Sequence, residues 1–310
     1  IHVTDHCNAS CQHCVYYCGP KIKGVMGLDD ASKYLHQIKS RPEVVCISGG
    51  EPLLYFDLVL SIMQEAKALH IPSVWVFTNG YWAKDSGHAR SSLKTLKEAG
   101  LTRLCLSADA FHQAFIPVER VRNALSTARD LGLEIALDVR FLGSLHDDNE
   151  TNRTTWKVLE QMGTLEDIEV WQGEPLYIGR AADCLPPQIV QGQGIPHGDC
   201  PGPWAGGTWE DPVGIDVDLY GEVTLCPGIS IGNAKRRPLD IILAEYSPRD
   251  HPIIRELATG GPMALAKTAQ RKGYTLKSSY VSECHLCYDV RQFLRPKYLS
   301  ELAPRICYGE

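Results

Sequence analysis

The chain has 310 residues, with 31 basic and 37 acidic side chains and a formal net charge of −6. That is length for one large α/β domain plus a smaller one, and the dispersed cations argue against nucleic acid as a main partner. No run of about 18 apolar residues is present, so no membrane span is expected, and no signal peptide is visible. Twelve cysteines are too many for an ordinary cytosolic enzyme of this size. Their clustering near the two ends reads as metal ligation rather than disulfide pairing, and the expected setting is the cytoplasm. The sequence opens on Ile1 inside an apolar run, with no initiating Met, so it is expected to start short of the natural N-terminus.

The first element is the short apolar start Ile1-His2-Val3, and Cys7, Cys11 and Cys14 follow it with spacings of three and then two residues. Three thiolates from so tight a loop can hold a cubane iron–sulfur cluster by three of its irons and leave the fourth open, as a catalytic metal keeps an open position. A closed zinc site with Cys18 as fourth ligand is the alternative. Asp29 reads as the N-cap of an amphipathic helix over 31–38. A buried strand over 43–48 runs into Gly49-Gly50-Glu51-Pro52. There, two glycines allow backbone to approach a ligand closely, Glu51 can accept hydrogen bonds from an ammonium group, and Pro52 fixes the turn.

Helical spacing over 53–69, 89–99, 117–131 and 151–162 alternates with strand patterns over 73–77, 101–107, 133–139 and 165–171. With the opening segment this makes six strands, which predicts a parallel sheet with right-handed crossovers, an open, partial (β/α)6 barrel of the TIM type. Polar residues at strand ends then collect on the C-terminal rim, where Ser107, Asp109 and Arg140 fall.

After Gln172 the texture changes, so the expected boundary separates residues 1–172 from a smaller domain over 173–310. Residues 173–212 are rich in Gly and Pro, and Trp204 and Trp209 stand there either as a pocket wall or as loop packing. A β-hairpin is expected over 213–217 and 222–226, then short helices over 239–244, 253–258 and 262–271. Cys284 and Cys287 form a CxxC near the end, and with Cys226 at the hairpin and Cys200 in the Pro/Gly loop they make a plausible four-ligand site. Cys184 is the substitute for Cys200. Zinc and a fully ligated [4Fe–4S] cluster both suit four thiolates. Cys46 and Cys105 lie in strands and read as core residues.

The CxxxCxxC loop and the GGEP turn one βα unit later resemble the radical S-adenosylmethionine (SAM) superfamily, over roughly residues 1–172. The resemblance implies a [4Fe–4S] cluster on Cys7, Cys11 and Cys14 with SAM chelated at the open iron. It places His13 near the adenine and Gly49, Gly50, Glu51 and Pro52 near the SAM amino group; by their place on the rim, Ser107, Asp109 and Arg140 read as contacts to SAM or substrate, with ordinary loop polar residues as the alternative. It also implies reductive cleavage of SAM to a 5′-deoxyadenosyl radical, which takes a hydrogen atom from a substrate C–H. Residues 216–227 and 231–233 resemble the SPASM/twitch extension of such enzymes. There, Cys200, Cys226, Cys284 and Cys287 would hold one auxiliary [4Fe–4S] cluster that assists oxidation or cross-linking. The implied partners are a peptide or small-molecule substrate and a low-potential electron donor such as flavodoxin or ferredoxin. Maturation of a peptide natural product is the first reading. Dehydrogenation or epimerisation of a sugar or aminocyclitol is the second, and a zinc-binding structural protein without SAM chemistry is the third.

Overall fold

The structure is a computed structural model, and it describes residues 1–38, 42–185 and 194–310. The chain divides into two compact units, one formed by residues 1–11 and 18–175, the other by residues 12–17 and 176–310.

The first unit is built on a parallel sheet of five strands in sequential order: β1 (Val44–Ile47), β2 (Ser73–Thr78), β3 (Arg103–Ser107), β4 (Glu134–Arg140) and β5 (Glu169–Gly173). Helices return the chain between strands, as parallel pairing requires. They are α1 (Leu28–Gln37), α2 (Phe56–Ala68), α3 (Ser86–Ala99), the single turn α4 (Ala110–Gln113), α5 (Val118–Asp130) and α6 (Glu150–Met162). The result is the expected partial barrel-like α/β fold, with one difference at its edge. The opening segment is too short for a full strand. It joins β1 through a parallel bridge at His2 and Ser48, with Ser48 N donating to Ile1 O at 2.9 Å and Val3 N to Ser48 O at 2.9 Å.

Helix starts follow local chemistry. Asp85 caps α3 by accepting from His88 N at 2.9 Å, and Asn149 caps α6 by accepting from Asn152 N at 2.9 Å. Asp29 does not cap α1: the N-cap is Gly27, and Asp29 and Asp30 lie in the first turn, where carboxylates favour the positive end of the helix dipole.

Strand alternation decides which residues face which way. In β2 the pattern SVWVFT buries Val74, Val76 and Thr78 and leaves Ser73, Trp75 and Phe77 part-exposed. The buried side continues through Val45, Ile47, Leu104, Leu106, Leu137 and Val139. Fully burying each such aliphatic side chain contributes about 1.5–3 kcal/mol. The parallel register aligns Cys46 with Trp75, Phe77 with Cys105, and Ser107 with Asp138, so these residues share the opposite face.

The second unit carries an antiparallel sheet of three strands, β6 (Asp216–Val217), β7 (Glu222–Cys226) and β8 (Ile229–Asn233). The first hairpin turns where Asp218 Oδ1 accepts from Tyr220 N at 2.9 Å and Glu222 N at 2.8 Å. The sequence reading stopped at β7. The strand it missed, β8, begins directly after the Pro227-Gly228 turn, where Gly228 has φ of 81°. The helices are α7 (Arg180–Cys184), α8 (Leu239–Glu245), α9 (Ile254–Gln270) and α10 (Glu283–Leu294). The two helices expected over 253–271 are α9, broken at Gly260 and Gly261, with Pro262 after the break. Ile178, Leu225, Ile229, Leu257, Leu286 and Tyr288 are among the residues of this unit's buried core.

Candidate active site

The entry to the cysteine loop is held from below by the GGEP turn. Gly50 N donates to Thr4 O at 2.6 Å, and Glu51 N donates to His6 O at 2.9 Å. A Cβ on Gly49 would lie 2.6 Å from Thr4 O, and one on Gly50 would overlap His6 O and lie 2.7 Å from its carbonyl carbon. The missing side chains therefore admit the chain's own backbone, one residue before the first cysteine. Cys7 is buried, and its Sγ accepts from Ala9 N at 3.4 Å and faces Asn79 Nδ2 at 4.0 Å. Asn79 also donates to Asn8 Oδ1 at 2.9 Å, which ties the loop to the end of β2. Cys11 is buried as well. Cys18 is drawn elsewhere: its sulfur lies within 4.8 Å of ligand atoms of His2 and Asp5, themselves joined at 2.9 Å.

Glu51 is fully buried. Its Oε1 accepts from Leu53 N at 3.1 Å and Thr78 Oγ1 at 2.8 Å, and its Oε2 from Asn79 N at 2.8 Å. Burial pushes this carboxyl up to about 7, against the pull of the bonds from Asn79, Thr78 and Leu53. Pro52 begins a 3₁₀ turn, Pro52–Tyr55, where its missing N–H is no loss. The raised value has a sign for stability. The folded chain holds this proton more tightly than the unfolded chain does, so the group favours folding fully below about 4.5 and loses that favour as pH rises through about 7. In urea titrations of the iron-free protein between pH 5 and 8, Glu51→Gln is expected to flatten the fall in stability by an amount on the order of 3 kcal/mol. An unchanged slope would remove Glu51 as its source.

At the rim, Ser107 ends β3 in register with Asp138. Asp109 is buried and caps α4, accepting from Phe111 N at 3.0 Å, His112 N at 3.0 Å and His112 Nδ1 at 2.9 Å. Its Oδ2 accepts from Arg140 N at 3.2 Å, so it binds the ends of β3 and β4 together. The Arg140 guanidinium pairs with Asp138. Burial raises the Asp138 carboxyl above the usual range, with Arg140 opposing the rise. Sequence reasoning passed over Asp138, and with it an aromatic wall on the same face. Trp171 stacks on Phe77 at 6.0 Å and lies 6.2 Å from Trp75. The strict alternation of SVWVFT was the signal that could have found that wall.

His13 and Cys14 lie in the segment 12–17 that belongs to the second unit. A turn of that unit clasps the segment: Ala181 N donates to Cys14 O at 3.2 Å, and Tyr17 OH donates to Asp183. Gly179, with φ of 60°, fits beneath it, since a Cβ there would lie 2.5 Å from the Val15 carbonyl carbon.

The second unit also brings Cys200, Cys226, Cys284 and Cys287 onto the wall of one cavity of about 170 Å³, with Trp204 and Trp209 lining it too. The four come from separate places: a Gly/Pro loop, the end of β7, and the first turns of α10, where i and i+3 share a face. Cys184 is exposed on α7 and does not line the cavity. Burial pushes the Cys284 thiol up to about 12 and the Cys287 thiol up to about 11, and raises Cys200 and Cys226. Thiols so placed become good ligands only when a bound cation replaces their protons. A cavity of this size beside the four thiols has room for a group of several atoms. The donor set and the space fit a multi-atom cluster.

A family model described as the Radical SAM superfamily matches residues 1–161. GTP 3′,8-cyclase of Listeria monocytogenes is 30% identical over 165 residues, covering 49% of this chain and 47% of that protein. YydG of Bacillus subtilis, named for peptide biosynthesis, is 22% identical over 144 residues, covering 44% and 45%. The chain thus spans about half the length of the curated relatives it matches. Among solved structures, the radical SAM methyltransferase TsrM from Kitasatospora setae, with cobalamin and a [4Fe-4S] cluster bound, is 14% identical with a TM-score of 0.41. That match covers 96% of this chain and 60% of the other. Among the described residues, no helix is long and apolar enough to cross a membrane.

Proposed function

The chain belongs to the radical SAM superfamily, and on that footing we propose that it is an enzyme with two clusters, the second assisting an oxidation or cross-link in the maturation of a peptide natural product. The family implies a [4Fe–4S] cluster and SAM, and when bound these supply a 5′-deoxyadenosyl radical able to take a substrate hydrogen atom. Cys7, Cys11 and Cys14 would ligate that cluster. Gly49 and Gly50 hold the loop's entry, and Asn79 orients the Cys7 sulfur. Glu51 has one oxygen with a single donor, so an ammonium group placed there would stabilise its charged form and reverse the cost of burying it. His13, Pro52, Ser107, Asp109 and Arg140 stand as candidate contacts to SAM or substrate, with Asp109 and Asp138 setting the backbone and side chain of Arg140.

The observation that carries the second cluster is the convergence of Cys200, Cys226, Cys284 and Cys287 on one cavity. Together with the hairpin, it supports a twitch-type domain with a single auxiliary [4Fe–4S] cluster, and the preferred division remains near residue 172. An enzyme of this family needs an electron donor and a substrate. A low-potential flavodoxin or ferredoxin is the proposed donor. The part-exposed Trp75, Phe77 and Trp171 would suit an apolar side chain of a peptide, and one relative is named for peptide biosynthesis.

Epimerisation is the second reading, and a specific placement favours it. Cys46, part-exposed and in register with Trp75, lies on the face that carries this aromatic wall, where a thiol could return a hydrogen atom to a substrate carbon, whereas Cys105 is buried. Turnover in deuterated water separates the two: solvent deuterium at the product carbon supports epimerisation, and a product lighter by two hydrogens supports oxidation.

Anaerobic reconstitution is the direct test. About eight irons per chain are expected, with release of 5′-deoxyadenosine from SAM on reduction. About four irons would delete the second cluster, and bound zinc without iron would overturn the whole reading.

A further inference from the structure

The bulkiest fully buried side chain among the described residues is an arginine. Arg291 is 1% exposed, and it lies on α10 one turn beyond Cys287, on the wall of the cavity that holds the four cysteines. Its contacts are few for a guanidinium, which offers five N–H donors. Nη1 donates to Pro227 O at 2.7 Å, and the guanidinium carbon lies 5.6 Å from the centre of the Tyr288 ring. Nε is buried with no hydrogen-bond partner. Among the described residues no carboxylate pairs with it, in contrast to Arg295 one turn further on, which is held by Glu310 at 2.9 and 2.7 Å.

An arginine cannot shed its charge, and burying an ion without a counter-ion is strongly unfavourable. Besides the Glu283 carboxylate, with which Arg291 makes no ion pair, the groups on the cavity wall able to supply that counter-charge are the four thiols, once a cluster binds and they lose their protons. Four thiolates around a [4Fe–4S] core carry net negative charge in the oxidised state and one unit more in the reduced state. A fixed cation at short range in a low dielectric stabilises the more negative state more strongly.

We propose that Arg291 is the built-in counter-cation of the four-cysteine site, and that it raises the reduction potential of the cluster held there. The inference rests on the reading of Cys200, Cys226, Cys284 and Cys287 as cluster ligands. It adds a direction to that reading: a raised potential suits a centre that receives an electron from an oxidised substrate rather than one that donates to SAM.

The test is an EPR-monitored redox titration of anaerobically reconstituted protein, with iron content measured alongside. Arg291→Gln keeps a donor for Pro227 O and removes the charge, whereas Arg291→Lys keeps the charge. Gln is expected to lower the midpoint of the second cluster by about 59 mV, a tenfold change in the oxidised-to-reduced ratio. Lys is expected to restore most of that shift, and the signal of the first cluster should stay in place in both. If Gln sheds the second cluster while Lys keeps it, the counter-cation role also stands. Equal midpoints in wild type and Gln at full iron, or equal loss of the second cluster in both variants, would make Arg291 a packing residue and overturn the proposal. A wild-type protein with only the first cluster would remove the four-cysteine reading itself, and this proposal with it.

Discussion

Gly50→Ala protein, reconstituted anaerobically, is expected to carry about half the wild-type iron and to release no 5′-deoxyadenosine on reduction. The added methyl group would overlap His6 O, stand 2.7 Å from the His6 carbonyl carbon and lie 3.0 Å from Asp5 O. All three are backbone atoms, so no side chain can swing aside. The chain must move, and it can do so only by giving up the bonds from Gly50 N to Thr4 O and from Glu51 N to His6 O, at about 1 kcal/mol each. Cys7 follows His6 directly, so the displacement reaches the first sulfur. A misplacement of about 1 Å is enough to cost on the order of a hundredfold in a reaction that depends on aim. Gly49→Ala should act similarly, since its Cβ would stand 2.6 Å from Thr4 O at a φ of 150°. The iron that remains should belong to the four-cysteine site. Full iron with normal 5′-deoxyadenosine release from Gly50→Ala would show that the glycine pair does not govern the loop.

The second large effect is the converse. Cys226→Ser is expected to halve the iron while leaving cleavage of SAM intact and abolishing product formation on the substrate. Cys226 is part-buried at the end of β7 on the cavity wall, and a serine hydroxyl is a far poorer iron ligand than a thiolate. Because ligation free energy is also folding free energy, the variant should melt earlier than the loaded wild type by several degrees. Cys184→Ser is the matched control. Cys184 is exposed, away from the cavity, and its loss should change neither iron nor product. If the two variants behave alike, the cavity does not hold the second cluster.

Periodicity and punctuation made much of this protein readable before any coordinates. The strands of the first unit announce themselves as short apolar runs stopped by Thr78-Asn79-Gly80 or followed by Asp109, and their parallel order follows from the helices between them. The cysteine sets are legible because few physical roles explain such spacing. What escaped depends on partners far away in the sequence. That Gly49 and Gly50 make room for Thr4 and His6 is a statement about two stretches more than forty residues apart, and a glycine carries no mark of what approaches it. Asp109 reads as a polar residue at a rim, but its oxygens are occupied by α4 and by Arg140 N. Asp138 was hidden inside a strand, between the apolar Leu137 and Val139. The third strand of the second unit was lost to a two-residue turn, Pro227-Gly228, which looked like the end of a hairpin rather than the middle of a meander.

The clasp on residues 12–17 limits how the molecule could be dismantled. A fragment ending at residue 175, grafted into another scaffold, would carry Cys7 and Cys11 along with the turn that supports them. It would leave Cys14 without the Ala181 amide that anchors its carbonyl, and Tyr17 without Asp183. On the proposed ligand set, the third sulfur depends on residues beyond 175, and a fragment of residues 1–175 by itself is expected to bind its iron loosely.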